Sequence, residues 1–274
     1  MGSPHRSLAV DDRGAVVVAS DTHLTQITAD GKLQWKVRLG ATRAASAPLI
    51  TSGGARWLLT SDAEMLSVTR DGRTEWRQAL PVAAPQPSGQ LLPTADGGAI
   101  VPVGAEVFRL EPDGQVRSRI TVDETVASVV ENGSELLLVG SEGQVFKWKP
   151  PVPATPLGSL GGRLTGSAAL ADPDTLVAVV DGNRVMEMDV RSGSRRARVP
   201  DGVATLFGSP AITAGGETRV LSSDGLLLGH NAKGDETWRL AVVAGDRRDA
   251  GALPSAISAR PAARASGFSS LMLS

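Results

Sequence analysis

The sequence has no cysteine and no tyrosine. Without cysteine there are no disulfide staples, no thiolate metal sites and no cysteine nucleophile, although the compartment stays open. Aromatic residues make up only 3% of the chain, so the core must be built largely from Val, Leu, Ile and Ala. The five tryptophans then stand out, because each can bury far more area than its neighbours. An excess of one charge is lacking too. The net charge of −1 gives no global reason to expect nucleic acid or an anionic membrane as partner. Long apolar runs are also missing. The longest, such as residues 15–19 and 176–180, are strand-sized and far short of the roughly 18 residues needed for a membrane span. Residues 1–7 are polar and hold no apolar h-region, so no secretory signal is expected in the chain as written, which reads as soluble.

What is present is regular. Hydrophobic residues are 41% of the chain, enough for a packed core, and glycine is abundant. Arg70-Asp71-Gly72-Arg73-Thr74-Glu75-Trp76 places a tight Asp-Gly turn four residues before a tryptophan. The same spacing recurs at Gly31 and Trp35 and at Gly234 and Trp238. Weaker copies surround Gly114, with Ser118 at the tryptophan position, and Gly193. Gly31 and Gly72 lie 41 positions apart, Gly72 and Gly114 42, Gly114 and Gly193 79, and Gly193 and Gly234 41. The long gap is two periods with one marker missing.

Each period holds about four short β-type runs divided by turn signals, and Asp-Gly between alternating segments is a strong hairpin signal. A period of this length with four strands is the signature of a propeller blade, which cannot bury its apolar faces alone. The expected fold is therefore all-β, a β-propeller of four-stranded antiparallel blades. About six repeats are recognisable over residues 8–244. The fourth is irregular: Lys149-Pro150-Pro151-Val152-Pro153-Ala154-Thr155-Pro156 replaces its marker turn, and so many prolines predict an edge or a loop. Residues 245–274 form an Ala/Arg/Ser-rich tail. Pro254, Ser255, Ala256 and Ile257 fall where a seventh repeat would open, and residues 268–273 could be its second strand, a partial blade.

The Gly-x-x-x-Trp element, with Ser46-Ala47-Pro48 and Ser209-Pro210 at repeat starts, resembles the quinoprotein-type (PQQ-like) β-propeller repeat. That resemblance implies a glycine turn between the third and fourth strands and a tryptophan docked on the neighbouring blade. It assigns Gly31, Trp35, Gly72, Trp76, Gly114, Gly193, Gly234 and Trp238 to blade docking. On that basis Trp76→Ala should cost about 3–5 kcal/mol, the loss expected for a buried aromatic.

Catalytic members of the family bind pyrroloquinoline quinone and calcium. No motif here carries over an aspartate base or a set of calcium ligands. Asp172 and Asp174 flank Pro173 and read as a turn rather than as metal ligands. His5, His23 and His230 show no metal-binding spacing, and His23 and His230 fall at roughly matching third-strand positions. No nucleophile elbow or phosphate-binding loop appears. Arg191, Arg195, Arg196 and Arg198 read as solvated protection of an edge strand. No catalytic residue, cofactor or metal is expected. The expected function is a non-catalytic binding or scaffold propeller, with a protein or peptide partner held by loops on its faces. The alternative is a remnant of a quinone- and calcium-dependent dehydrogenase. Family resemblance implies an extracytoplasmic location if the N-terminus continues further, and a cytoplasmic one otherwise.

Overall fold

A computed structural model of the chain describes residues 7–200, 202, 203 and 205–242. Among these residues every regular element is a strand, and the strands group by fours, in chain order, into six antiparallel sheets. Blade 1 holds β1 (Ser7–Val10), β2 (Val16–Ala19), β3 (His23–Ile27) and β4 (Leu33–Arg38). Blade 2 holds β5 (Leu49–Ile50), β6 (Arg56–Leu59), β7 (Glu64–Val68) and β8 (Thr74–Ala79). Blade 3 comprises β9 (Leu92–Pro93), β10 (Ala99–Val103), β11 (Glu106–Leu110) and β12 (Val116–Thr121). Blade 4 comprises β13 (Val126–Asn132), β14 (Glu135–Gly140), β15 (Gln144–Trp148) and β16 (Thr155–Ser159). Blade 5 runs through β17 (Ala169–Asp172), β18 (Thr175–Val180), β19 (Arg184–Asp189) and β20 (Arg195–Arg198). Blade 6 runs through β21 (Leu206–Ile212), β22 (Thr218–Ser222), β23 (Leu226–His230) and β24 (Glu236–Ala241). His5 and the proposed tail of residues 245–274 lie outside the described residues.

The turns explain why the strands stop where they do. At the marker turn of blade 2, Gly72 N–H donates to Thr69 O and Thr69 N–H to Arg73 O. The Thr69 hydroxyl binds the Asp71 carboxylate and also accepts from the Arg73 amide. Thr-x-Asp-Gly is thus a turn closed by its own side chains, and blade 1 repeats it at Thr28, Asp30 and Gly31. A register shift follows in each case, between Gln26 and Ile27 and between Ser67 and Val68. Such a bulge adds local twist. In blade 4 the proline-rich segment leads into β16, the outer edge strand, where Pro156 pairs opposite Phe146.

Most of the core lies between sheets rather than within any one of them. Five clusters of buried apolar side chains occupy the five successive blade contacts. Val17, Leu24, Leu58 and Leu66 fill the first, and Trp57, Met65, Val101 and Phe108 the second. Ile100, Val107, Leu138 and Trp148 fill the third. Leu137, Val139, Leu176 and Met188 fill the fourth, and Val177, Val179, Val220 and Leu228 the fifth. Inner strands of the middle blades are therefore buried on both faces, as in the wholly buried run of β10. Outer strands such as β8 keep one face in solvent.

Candidate functional site

The marker tryptophans of blades 1 and 2 act across the blade boundary. Trp35 stands opposite Gln26 on β3. Its indole N–H donates to Arg70 O of blade 2 at 2.9 Å. Its ring covers Gly72 so closely that a Cβ there would lie 2.5 Å from Trp35 Cγ, and Gly72 has φ +86°. Both constraints demand glycine. Trp76 repeats the arrangement on blade 3, donating to Pro112 O at 3.3 Å and lying over Gly114. Both marker rings are only partly buried, so the cost expected for Trp76→Ala must be lowered. Trp57 and Trp148 are the fully buried tryptophans. Trp57 meets Trp76 edge to face at 4.9 Å.

Past blade 3 the joint changes chemistry. Ser118 takes the tryptophan position opposite Arg109. The largest aromatic filling the next interface is Trp148, which comes from the third strand of blade 4 and packs there with Phe146. That placement explains its odd phase. Gly193 packs against Leu157 O of blade 4, and Arg195 donates to Ser159 O at 2.8 Å.

At the fifth interface, Arg196 stands opposite Glu187 as Trp35 stands opposite Gln26. Arg196 and Arg198 both donate to Lys233 O, at 2.8 and 2.7 Å, and both pair with Glu187. The Arg198 guanidinium lies over Gly234 where the earlier blades use an indole. Reading Arg198 as solvated edge protection is therefore corrected: only 13% of its side chain is exposed, and it locks two blades together, whereas Arg196 is 59% exposed and adds its bonds from the surface. Arg191, paired at the surface with Asp174, remains a rim residue. The physical reason is that a guanidinium offers several in-plane donors and a flat face, so it can replace an indole over glycine.

Trp238 is placed differently from Trp35 and Trp76. Its ring lies over Gly229 of its own sheet, with the Arg219 guanidinium 5.6 Å from the ring centroid. No blade-to-blade hydrogen bond from it is found among the described residues. The two described histidines also differ from expectation. Both are on third strands, but His23 is the first residue of β3 and His230 the last of β23. His230 is buried at the fifth interface, and its Nδ1 has no partner among the described residues. Burial holds its pKa below the ordinary histidine value.

A buried ion pair ties blade 1 to blade 2. Arg56 donates to Asp11 at 2.8 Å, to Gln26 at 2.7 Å and to Gly54 O. Burial opposes ionisation of Asp11, but N–H donors from Ala15 and Arg13 and the charge of Arg56 hold its carboxyl below the usual range. Nothing in the sequence pattern singled out this pair, because its members lie 45 residues apart.

Two clefts open on the face that carries the turns between first and second strands. One, of about 400 Å³, lies between blades 2 and 3 and is lined by Ser52, Trp57, Glu75, Asp96 and Pro112. The other, of about 310 Å³, lies between blades 3 and 4 and is lined by Asp96, Ile100, Arg109, Glu131 and Glu135. The Ala95-Asp96 turn is shared by both. Hydrogen bonds from Thr94 and Arg109 hold the Asp96 pKa at about 2. Glu75 bonds only to Ser67, and Glu75, Glu131 and Glu135 make no ion pair among the described residues.

Asp172 and Asp174, the carboxylates considered as metal ligands, are engaged locally. Asp172 accepts from the Asp174 amide in a local turn, and Asp174 pairs with Arg191. No group of three or more His, Asp or Glu side chains able to hold a metal occurs among the described residues. No helix of the described residues is long and apolar enough to cross a membrane.

Among curated protein sequences none matches this chain. Its fold is shared with solved propellers. BamB from Moraxella catarrhalis is 17% identical, with a TM-score of 0.65 over 85% of this chain and 73% of that one. Virginiamycin B lyase from Staphylococcus aureus, solved as a catalytically inactive variant with quinupristin, is 14% identical, with a TM-score of 0.71 over 87% and 84%. The C-terminal WD40 domain of Sif2 is 14% identical, with a TM-score of 0.67 over 83% and 67%. A family model described as outer membrane protein assembly factor BamB matches residues 2–147, more than half of the chain. By that match, and by six blades joined through PQQ-like repeats, the chain belongs to this family of β-propellers.

Proposed function

We propose that the protein is a non-catalytic propeller that binds a protein or peptide segment, with a basic stretch of the partner lying across the two clefts of blades 2–4. The observation that carries this reading is the pair of adjacent clefts sharing the Ala95-Asp96 turn, flanked by Glu75, Glu131 and Glu135 without cationic partners. Loops on a rigid scaffold are the usual place for recognition, and unpaired carboxylates around a groove attract positive charge at long range. The family description, an assembly factor for outer membrane proteins, supports a partner that is itself a protein. The likeness to the lyase among the solved neighbours is one of fold, and a fold does not carry its chemistry with it.

Charge reversal tests the proposal. The triple variant Glu75→Lys, Glu131→Lys, Glu135→Lys should stay folded and lose only the Ser67–Glu75 hydrogen bond, about 1–3 kcal/mol. It should also lose capture of a basic partner that the unaltered protein retains at low salt and releases at high salt. Equal capture by both proteins would remove the cleft from the proposal. Addition of pyrroloquinoline quinone with calcium should give neither a thermal shift nor dye reduction; a clear signal in either would overturn the non-catalytic reading.

A further inference from the structure

The cleft between blades 2 and 3 holds a buried hydrogen-bond donor beside its carboxylates. Trp57, on β6, lines that cleft and is 1% exposed, yet its indole N–H has no partner among the described residues. Buried polar groups are nearly always hydrogen-bonded, and an indole has a single polar atom, so nothing else on the side chain offsets the loss. The position does not demand an indole. Strand register places Val17, Ile100, Leu137 and Val177 at the same site in blades 1, 3, 4 and 5, and all four are buried aliphatics. Trp57 stands opposite Ser67, whose hydroxyl donates to the Glu75 carboxylate at 2.7 Å. Side chains directly opposite in an antiparallel pair lie about 5 Å apart at Cβ. A donor and a carboxylate are therefore neighbours in one cleft of about 400 Å³.

The cleft between blades 3 and 4 has no such combination. At the matching positions it carries Ile100 opposite Arg109, and the Arg109 guanidinium pairs with Asp96 at 2.6 Å. In the blade 2–3 cleft a cation alone would satisfy Glu75 and leave the indole without a partner, because an ammonium or guanidinium has no acceptor. We infer, on the reading that the clefts seat a basic segment, that the blade 2–3 cleft is its anchor and recognises polypeptide as well as charge. One lysine or arginine of the partner sets its main-chain carbonyl on the Trp57 N–H and its cationic group beside Glu75. The flexible side chain between carbonyl and cation lets a single residue reach both. The N–H is itself buried, so the cleft wall parts slightly as the carbonyl seats. A basic peptide is thereby selected over a polyamine of equal charge, which offers no acceptor.

The indole N–H resonances of the nitrogen-15-labelled full chain test this directly. With five tryptophans the spectrum is sparse, and the Trp57 signal is identified by its proximity to the Trp76 ring, 4.9 Å away between centroids. The probes are a blocked peptide of three lysines spaced by glycines and spermidine, which carries the same charge. At low salt the peptide should move the Trp57 resonance and spermidine should not. Trp57→Phe keeps a ring and removes the donor. It should weaken the peptide by about tenfold, the worth of one hydrogen bond, and leave spermidine binding unchanged, whereas Glu75→Gln should weaken both. The resonance is read in the unaltered protein, so it decides the matter even where Trp57→Phe does not fold. An unmoved Trp57 resonance with the peptide bound, an equal shift with spermidine, or full peptide affinity in folded Trp57→Phe would overturn the inference and leave the basic-segment reading standing. Failure of both probes to bind would overturn the two together.

Discussion

The first and fifth blade contacts solve the same mechanical problem with different chemistry. At the first, Trp35 lays an indole on Gly72 and gives one hydrogen bond to Arg70 O. At the fifth, Arg196 and Arg198 lay guanidinium groups against the Lys233-Gly234 turn and share Glu187 as counter-charge. Both seats are a glycine turn, and both locks reach a backbone carbonyl beside it. What the position requires is a flat donor over a residue without Cβ, not an aromatic side chain as such. The indole gains mostly from apolar burial. The arginine pair depends on keeping its carboxylate, so removing one member leaves a largely buried charge behind.

Substitutions at the two contacts sharpen that contrast. Arg198→Met leaves Glu187 with only the largely exposed Arg196 as partner, and we expect a loss of about 3 kcal/mol, read as a fall in melting temperature of about 2–4 °C per kcal/mol for a chain of this size. The added change Glu187→Met should recover part of it, and a purely additive double variant would disprove the coupling. Gly72→Ala forces a methyl group into Trp35 and an L residue into a left-handed turn, at about 2–3 kcal/mol, whereas Gly31→Ala carries only the backbone strain of about 1 kcal/mol. Equal losses at the two glycines would mean that the indole does not press on Gly72. Trp76→Ala removes a partly buried ring and should cost about 2 kcal/mol, less than the 3–5 kcal/mol of a fully buried aromatic.

The smallest effect separates the contacts by pH. His230 is buried at the fifth contact with its pKa lowered below the usual 6.5, first by burial and next by the nearby charge of Arg198, although Glu236 and Glu187 pull the other way. Because the folded state resists protonation, its share of stability is complete above pH 6.5. That share declines as pH falls from there towards the folded value, since the unfolded chain takes up the proton first. Denaturant midpoints should fall over that range in the unaltered protein, and the slope should flatten in His230→Asn. Arg239 pairs with Glu236 beside it, so a parallel Glu236→Gln variant shows how much of the slope belongs to the histidine. The first contact has no histidine among its buried side chains.

Much of the architecture could be read before any coordinates. Glycines near 41-residue spacing located the marker turns, and short apolar runs between turn signals gave four strands to each blade. Periodicity worked because a blade's hairpins are local: Thr69, Asp71 and Gly72 close their own turn. The Thr two residues before Asp30-Gly31 and Asp71-Gly72 was a further local signal, and it marks the turns of blades 1 and 2.

The joints were legible only where they used the expected residue. Trp35 and Trp76 announced themselves, but Arg196 and Arg198 looked like any exposed basic cluster. Whether a guanidinium faces solvent or a neighbouring glycine depends on a residue 35 or more positions away. The clefts were invisible for the same reason: Trp57, Asp96 and Pro112 meet across a blade boundary, and single-chain spacing does not reveal which turns become neighbours.

The sequence by itself determined the repeat, the four-strand blade and the glycine turns, because each is set by contacts among residues a few positions apart. Tertiary structure alone decided which arginines are locks, how far each tryptophan is buried, that Asp11 and Arg56 pair in the core, and that Leu8, Val10 and Leu33 of blade 1 are exposed. Those outcomes depend on which sheet stacks against which. Stacking is governed by the burial of apolar area, which has no direction along the chain and no fixed spacing in it.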